Sequence, residues 1–272
     1  LMTRWLGSGV MIRLALAVIL IRMVTSEQST GAVGFMQNLN MSSQQLHSLY
    51  VVMLIGSVAG LLTSALTIDP KHLLMPLIVS LALMATGSIM DSSSSNLTRP
   101  GNLYFSQFLL AFGSTFFLGP TMVFGTRNVR TNPRNLVSFS VLFGICNNLG
   151  GLIGAALLGT FQIVREKFHS SHIVEQLVMS DPRVAARVQS GGSAVGSLIA
   201  DPSLRNLQGI RSLANAATRE ANVLAYNDVF MLIAVIAILT MIWISIRALW
   251  LISTTRAVAP TSSVPSSGAT SS

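Results

Sequence analysis

The run from Val229 to Ile246, VFMLIAVIAILTMIWISI, holds eighteen residues without a charge. At 1.5 Å of rise per residue a helix of that length covers about 27 Å, close to the roughly 30 Å of hydrocarbon in a bilayer. It reads as a membrane-spanning helix, ended by Arg247 and Arg256. Working outward from it, five more runs of this kind lie upstream, at about 10–37, 45–67, 73–90, 103–126 and 136–164, with the last span itself at 228–252. Asp69 with Pro70, the serines from Ser92 to Ser95, Pro100 with Gly101, and Pro133 punctuate them where turns are needed.

Composition agrees. Of 272 residues 51% are hydrophobic and 10% charged, against about 25% charged in soluble domains, and mean hydropathy is +0.63. The expected fold is all-α: a six-helix transmembrane bundle with the lipid bilayer as solvent. A net charge of +8 suggests nucleic acid at first sight, but the 17 basic residues sit between apolar runs rather than in a stripe, so nucleic acid is excluded as a partner. Cys146 is the single cysteine, which excludes an intrachain disulfide and reads as packing. The chain shows no Walker A motif, dinucleotide fingerprint or hydrolase constellation. An enzyme is not expected, no cofactor is expected, and nothing points to ATP as the energy source.

Short loops give an orientation. Arg4, Lys71, Arg127, Arg130, Arg134, Arg247 and Arg256 fall on one side, while the opposite short loops offer little beyond Arg99. The positive-inside rule puts both termini in the cytoplasm. No cleavable signal peptide is evident, and an opening Leu1 fits a fragment of a longer chain, with Met2 as an alternative start.

The segment 165–227 is polar and is expected to be external and partly helical, a long insertion before the last span. Asp181 with Pro182 and Asp201 with Pro202 read as N-caps followed by proline at the first helical position. Gly191 and Gly192 read as a break between helices, and Leu204 to Ala225 as a helix able to continue into the last span. The tail 253–272 lacks the apolar residues for a core and is expected to be disordered.

The first span carries the residues that lipid tolerates least: Arg22, Ser26, Glu27 and Gln28. At 100° per residue Glu27, Thr30, Gly31, Gly34 and Asn38 share a face, with Arg22, Ser26 and Ser29 in a neighbouring stripe. Glu27 is the candidate proton- or cation-coupling group; its alternative is a structural ion pair with Arg22 or Arg13. Candidates for a substrate path are Arg22, Ser26, Gln28, Gln107, Asn147 and Asn148, the two asparagines having interhelical hydrogen bonding as the rival reading. In the fourth span Gly113 and Pro120 mark packing and a kink, either static or part of a moving wall. Gly150 and Gly154 form a GxxxG pair suited to close helix approach. His169, His172 and Glu175 have spacing that zinc could use, but no fourth ligand is evident, so no metal is expected. Asn40 and Asn96 head glycosylation-type triplets too short to carry weight.

Three stretches in order resemble one family: Gln107 and Phe108 through Phe116, Phe117 and Pro120; Asn132, Pro133 and Arg134 leading into the Ser138–Gly159 helix with its paired asparagines and glycines; and the long polar segment ending Ala225, Tyr226, Asn227, Asp228, Val229 and Phe230. The chain from about 8 to 252 resembles the C-terminal half of a major facilitator superfamily transporter, closest to the EmrB/QacA-type drug:proton antiporters with fourteen spans. The resemblance implies one half of that fold, export of small hydrophobic or amphipathic compounds across a bacterial inner membrane by alternating access, dependence on an N-terminal half, and a periplasmic adaptor as a further partner. The motifs on which antiport is recognised lie in the other half, and the loop 67–72 is a degenerate counterpart. The rival readings are a non-transporting scaffold whose external segment binds an adaptor, and a truncated product without function.

Overall fold

The computed structural model describes residues 9–67, 69, 73–127, 134–178, 180–194, 196 and 201–257, side chains at 127, 134, 135 and 251–257 excepted. Arg4, Lys71, Arg130 and residues 258–272, on which part of the orientation and the disorder expectation rest, lie outside these residues, whereas residues 253–257 of the expected disordered tail continue the last helix to Ala257. Among the described residues the chain is helical and has no strand. Six helices are long and apolar enough to cross a membrane: Gly9–Asn38, His47–Thr67, Leu74–Asp91, Pro100–Thr126, Leu136–Gln176 and Pro202–Trp250. The chain is a multi-pass helical membrane protein.

In finer detail the first span is α1 (Gly9–Thr25), a π-helical stretch (Glu27–Val33) and α2 (Gly34–Asn38). The second is α3 (His47–Thr67) and the third α4 (Leu74–Asp91). The fourth divides into α5 (Tyr104–Phe116) and α6 (Leu118–Arg127), the fifth lies in α7 (Arg134–Gln176), a short α8 (Pro182–Ser193) follows, and the sixth lies in α9 (Pro202–Ala257). Neighbours run second, fourth, third, sixth, fifth, first, and the first span closes back onto the sixth. One apolar core joins Ile21 and Val24 to Leu81, Met84, Leu110, Phe117, Leu158, Ile233 and Ala237. A second, toward the 39–46 and 92–103 loops, gathers Phe35, Met36, Leu46, Leu49, Tyr226 and Phe230.

Apolar side chains gain nothing by leaving lipid for one another, so small residues decide which helices meet closely. The second span buries only Leu49, Gly56, Gly60 and Ser64, while Leu54, Ile55, Leu61 and Leu62 point outward. A Cβ on Gly60 would lie 2.3 Å from the Phe112 carbonyl oxygen, so the backbones are in contact there. Gly150 and Gly154 do the same between the fifth and first spans: a Cβ would meet Ile19 O at 2.7 Å and Met23 Cα at 2.8 Å respectively. Gly113 lies against Met84 and the Ser80 carbonyl of the third span.

Two interruptions have local causes. Thr25 and Ser26 both direct their hydroxyls to the Arg22 carbonyl, at 2.8 and 3.3 Å. The Ser26 N–H turns to Met23 O instead, and the π-helical stretch opens at the next residue. Hydroxyls that compete for a ladder carbonyl in this way bend or re-register helices. The 100° spacing therefore fails past Ser26: Glu27 and Gly31 are buried but Asn38 is exposed. In the fourth span Pro120 has no N–H to give the Phe116 carbonyl. Ser64 Oγ of the second span donates to that oxygen at 2.9 Å, and the helix breaks at Phe117.

Both α7 and α9 outrun the bilayer. Their 43 and 56 residues correspond to about 64 and 84 Å. Asp181 caps α8 by accepting from the Arg183 N–H at 2.8 Å, and Asp201 caps α9 by accepting from the Ser203 N–H at 2.8 Å and its hydroxyl at 2.7 Å. Gly191 and Gly192 do not break a chain of helices. They lie in the last turn of α8, where a Cβ on Gly192 would meet the Arg205 carbonyl at 2.7 Å, and they seat α8 on α9. The protruding parts of α7 and α9 are joined by Gln162 to Asn222 at 2.8 Å and by Arg165 and His169, both 2.6 Å from Asp228 Oδ2.

Candidate functional site

The polar residues expected to act together fall into two groups. Arg22 and Ser26 face the fifth span: Arg22 Nε donates to the Asn147 carbonyl at 3.4 Å and Ser26 Oγ to the Gly151 carbonyl at 3.2 Å. The GxxxG contact brings them there. Asn147 Oδ1 is buried without a hydrogen-bond partner, whereas Asn148 is exposed. Neither Arg22 nor Arg13 forms an ion pair with Glu27 among the described residues.

Glu27 turns the other way, into the bundle, and is fully buried. Gly31 makes its space, since a Cβ there would press on Glu27 Cγ at 3.3 Å and on Phe230 at 3.0 Å. Gln107 of the fourth span, also fully buried, donates from Nε2 to Glu27 Oε1 at 3.0 Å and Oε2 at 3.1 Å. The same nitrogen lies 2.8 Å from Oδ2 of Asp91, at the end of the third span. One amide with two N–H groups thus faces three oxygens of two carboxyl groups. Gln28 adds a long contact, 3.5 Å, to the Gln107 carbonyl.

Asp91 is the residue that inspection of the sequence overlooks. It sits at the seam between an apolar run and a serine-rich loop, where an acid is ordinary, yet it is 1% exposed. The available signal was an acidic residue closing a span with no basic residue nearby before Arg99.

A polar cavity of about 320 Å³ opens beside Asp91, lined also by Ser93, Ser94, Ser95, Thr98, Asn102 and Ser106. The buried hydroxyls of Ser80 and Ser88 in the third span, and Oε1 of Gln107, have no hydrogen-bond partner. Each unmade bond in such surroundings costs about 1–3 kcal/mol. Chemically, the arrangement can hold a proton or a small cation between two carboxyl groups, with hydroxyls leading from one mouth of the bundle. Among the described residues no group of three metal-ligating side chains exists. His169 is engaged with Asp228, and His172 lies 3.8 Å from Glu175.

No known protein family, curated protein or solved structure matches the chain.

Proposed function

We propose that the chain is the C-terminal half of a proton-coupled secondary transporter of the major facilitator type, exporting small hydrophobic or amphipathic compounds, with Glu27 and Asp91 as a proton-holding pair. The observation that carries this reading is the shared Gln107 nitrogen between two buried carboxyl groups from different spans. Two adjacent carboxylates away from water strongly disfavour double ionisation, so such a pair retains one proton between them. A group of that kind inside a membrane is a default candidate for ion coupling. The polar cavity at Asp91 supplies access from one side of the bundle.

The need for another half finds support in polar side chains left uncovered at membrane depth. Ser29 of the first span and Asn148 of the fifth are exposed, although these two spans pack against each other. Lipid does not solvate them; a second half, or water in a cleft between halves, does. With both termini on the cytoplasmic side, the Asp91 cavity opens to the outside.

The test is proton-driven efflux of a fluorescent hydrophobic cation in everted vesicles, with the chain alone and with a facilitator N-terminal half from the same locus. Activity only with the added half, lowered about a hundredfold in Glu27→Gln and in Asp91→Asn, supports the proposal. Activity of the chain alone overturns the requirement for a partner half. Stable insertion with no activity in either case favours the second reading, an adaptor-binding scaffold. That reading has its own observation: Leu204, Leu207 and Ile210 are exposed on the protruding part of α9, an apolar row on an otherwise polar helix.

A further inference from the structure

At the end of the bundle away from Asp91 lies a second cavity, of about 330 Å³. Its walls are apolar: Val10, Leu14, Val18 and Ile21 of the first span, Leu74 and Leu77 of the third, Trp243 and Ile244 of the sixth. Among its described lining residues two are charged, Arg13 and Arg247, and none is acidic. Both arginines are exposed. Arg13 Nε is turned to the carbonyl of Gly9, and Arg247 has no hydrogen bond or ion pair among the described residues. From Arg13 to Ile21 the helix descends about 12 Å, so the cavity runs from a cationic mouth into the apolar interior. Water gains little there, and a second helix has no room.

We infer that this cavity is a binding site for an anionic phospholipid of the surrounding bilayer, one acyl chain lying along Leu14, Val18 and Ile21 and the phosphate held between Arg13 and Arg247. The charge pattern selects the occupant. An apolar slot alone accepts any chain, but two guanidinium groups at its mouth, with no carboxylate among the described lining residues, favour a headgroup of net negative charge over a zwitterionic one. Basic pockets between spanning helices hold anionic headgroups for this reason. The inference does not depend on the transport reading, because the Glu27 and Asp91 pair is not among the lining residues.

Trp243 and Trp250 line the cavity and serve as reporters; Trp5, the third tryptophan of the chain, is replaced by Phe. The full chain is reconstituted in phosphatidylcholine vesicles, and phosphatidylglycerol with brominated acyl chains is titrated in, with brominated phosphatidylcholine as the reference. The expected result is saturable quenching at a mole fraction about thirtyfold lower for phosphatidylglycerol, a factor of about five for each basic residue at an anionic surface. Arg13→Gln with Arg247→Gln should erase the preference, and Arg13→Lys with Arg247→Lys should retain most of it, which separates charge from folding. Ala17→Phe, which fills the slot from the first span, should abolish saturation. Equal quenching by the two lipids, or a preference that survives in the double Gln variant, overturns the inference. Unchanged saturation in Ala17→Phe overturns it as well, because lipid would then bind outside the cavity.

Discussion

Glu27 and Asp91, from the first and third spans, accept hydrogen bonds from one nitrogen, Nε2 of Gln107, at 3.0 and 2.8 Å. A structural role and a coupling role for this pair make opposite predictions for stability. If the pair served to hold the helices together, neutralising one member would loosen them. If it exists to load and release a proton, replacing a buried ionisable group by its isosteric amide should leave stability unchanged or raise it, as removal of buried charge often does. Glu27→Gln is therefore expected to lower proton-driven efflux by about a hundredfold, the lower end of what a positioned proton-transfer group supplies, with a melting temperature in detergent no lower than that of the parent. A falling melting temperature with intact efflux contradicts the proposal.

The six spans were legible because eighteen or more apolar residues bounded by turn residues leave a helix in lipid as the main solution. Glu27 stood out because it interrupts such a run. Asp91 did not, because its burial comes from the approach of the third span to the fourth, where a Cβ on Gly87 would meet the Ser106 carbonyl at 2.8 Å, and that is a property of packing. Of the two stripes read on the first span, Arg22 and Ser26 share a neighbour in the fifth span, whereas the spacing from Glu27 to Asn38 fails, since two hydroxyls on one carbonyl re-register the helix and no periodicity count contains that event. Of the substrate-path candidates, Arg22 meets Asn147 and not Gln107, because the GxxxG contact turns Arg22 toward the fifth span.

The pairing of Ser64 with the carbonyl that Pro120 leaves free makes a reciprocal prediction. Ser64→Ala strands the Phe116 oxygen in the bundle and should destabilise by about 1 kcal/mol, the usual size of interhelical hydrogen bonds in membranes. Pro120→Ala restores an N–H one turn beyond Phe116. In that background Ser64→Ala should cost close to nothing. A double-mutant cycle by steric-trapping or detergent unfolding measures the coupling; additive effects contradict the role assigned to Ser64.

Gly154 and Gly159 lie on the same helix but in different surroundings. A Cβ on Gly154 would come within 2.8 Å of Met23 Cα, whereas one on Gly159 would meet nothing within 4 Å. Gly154→Ala should force the first and fifth spans apart and cost about 1–3 kcal/mol, the range for overpacking. Gly159→Ala should stabilise by about 0.5–1 kcal/mol through helix propensity alone. Unfolding of the two variants side by side checks the sign as well as the size. Equal effects would mean that the Gly154 contact with Met23 and Ser26 is not made.

The start of α9 offers a pH-dependent prediction outside the membrane. The Ser203 hydroxyl and N–H hold the Asp201 carboxyl below its ordinary range, against a small opposing effect of burial, with the Leu204 N–H and Arg205 adding in the same direction. A carboxylate whose value is lower in the folded helix stabilises it at all pH above the unfolded value, about 3.9. That contribution is lost as pH falls from there through the lowered folded value. Amide exchange at residues 203–205, corrected for intrinsic rates, should show constant protection from pH 7 down to about 4 and a drop below it. In Asp201→Asn the amide oxygen still caps but does not titrate, so protection should be flat across the same interval; a drop that persists in this variant assigns the acid sensitivity to another group.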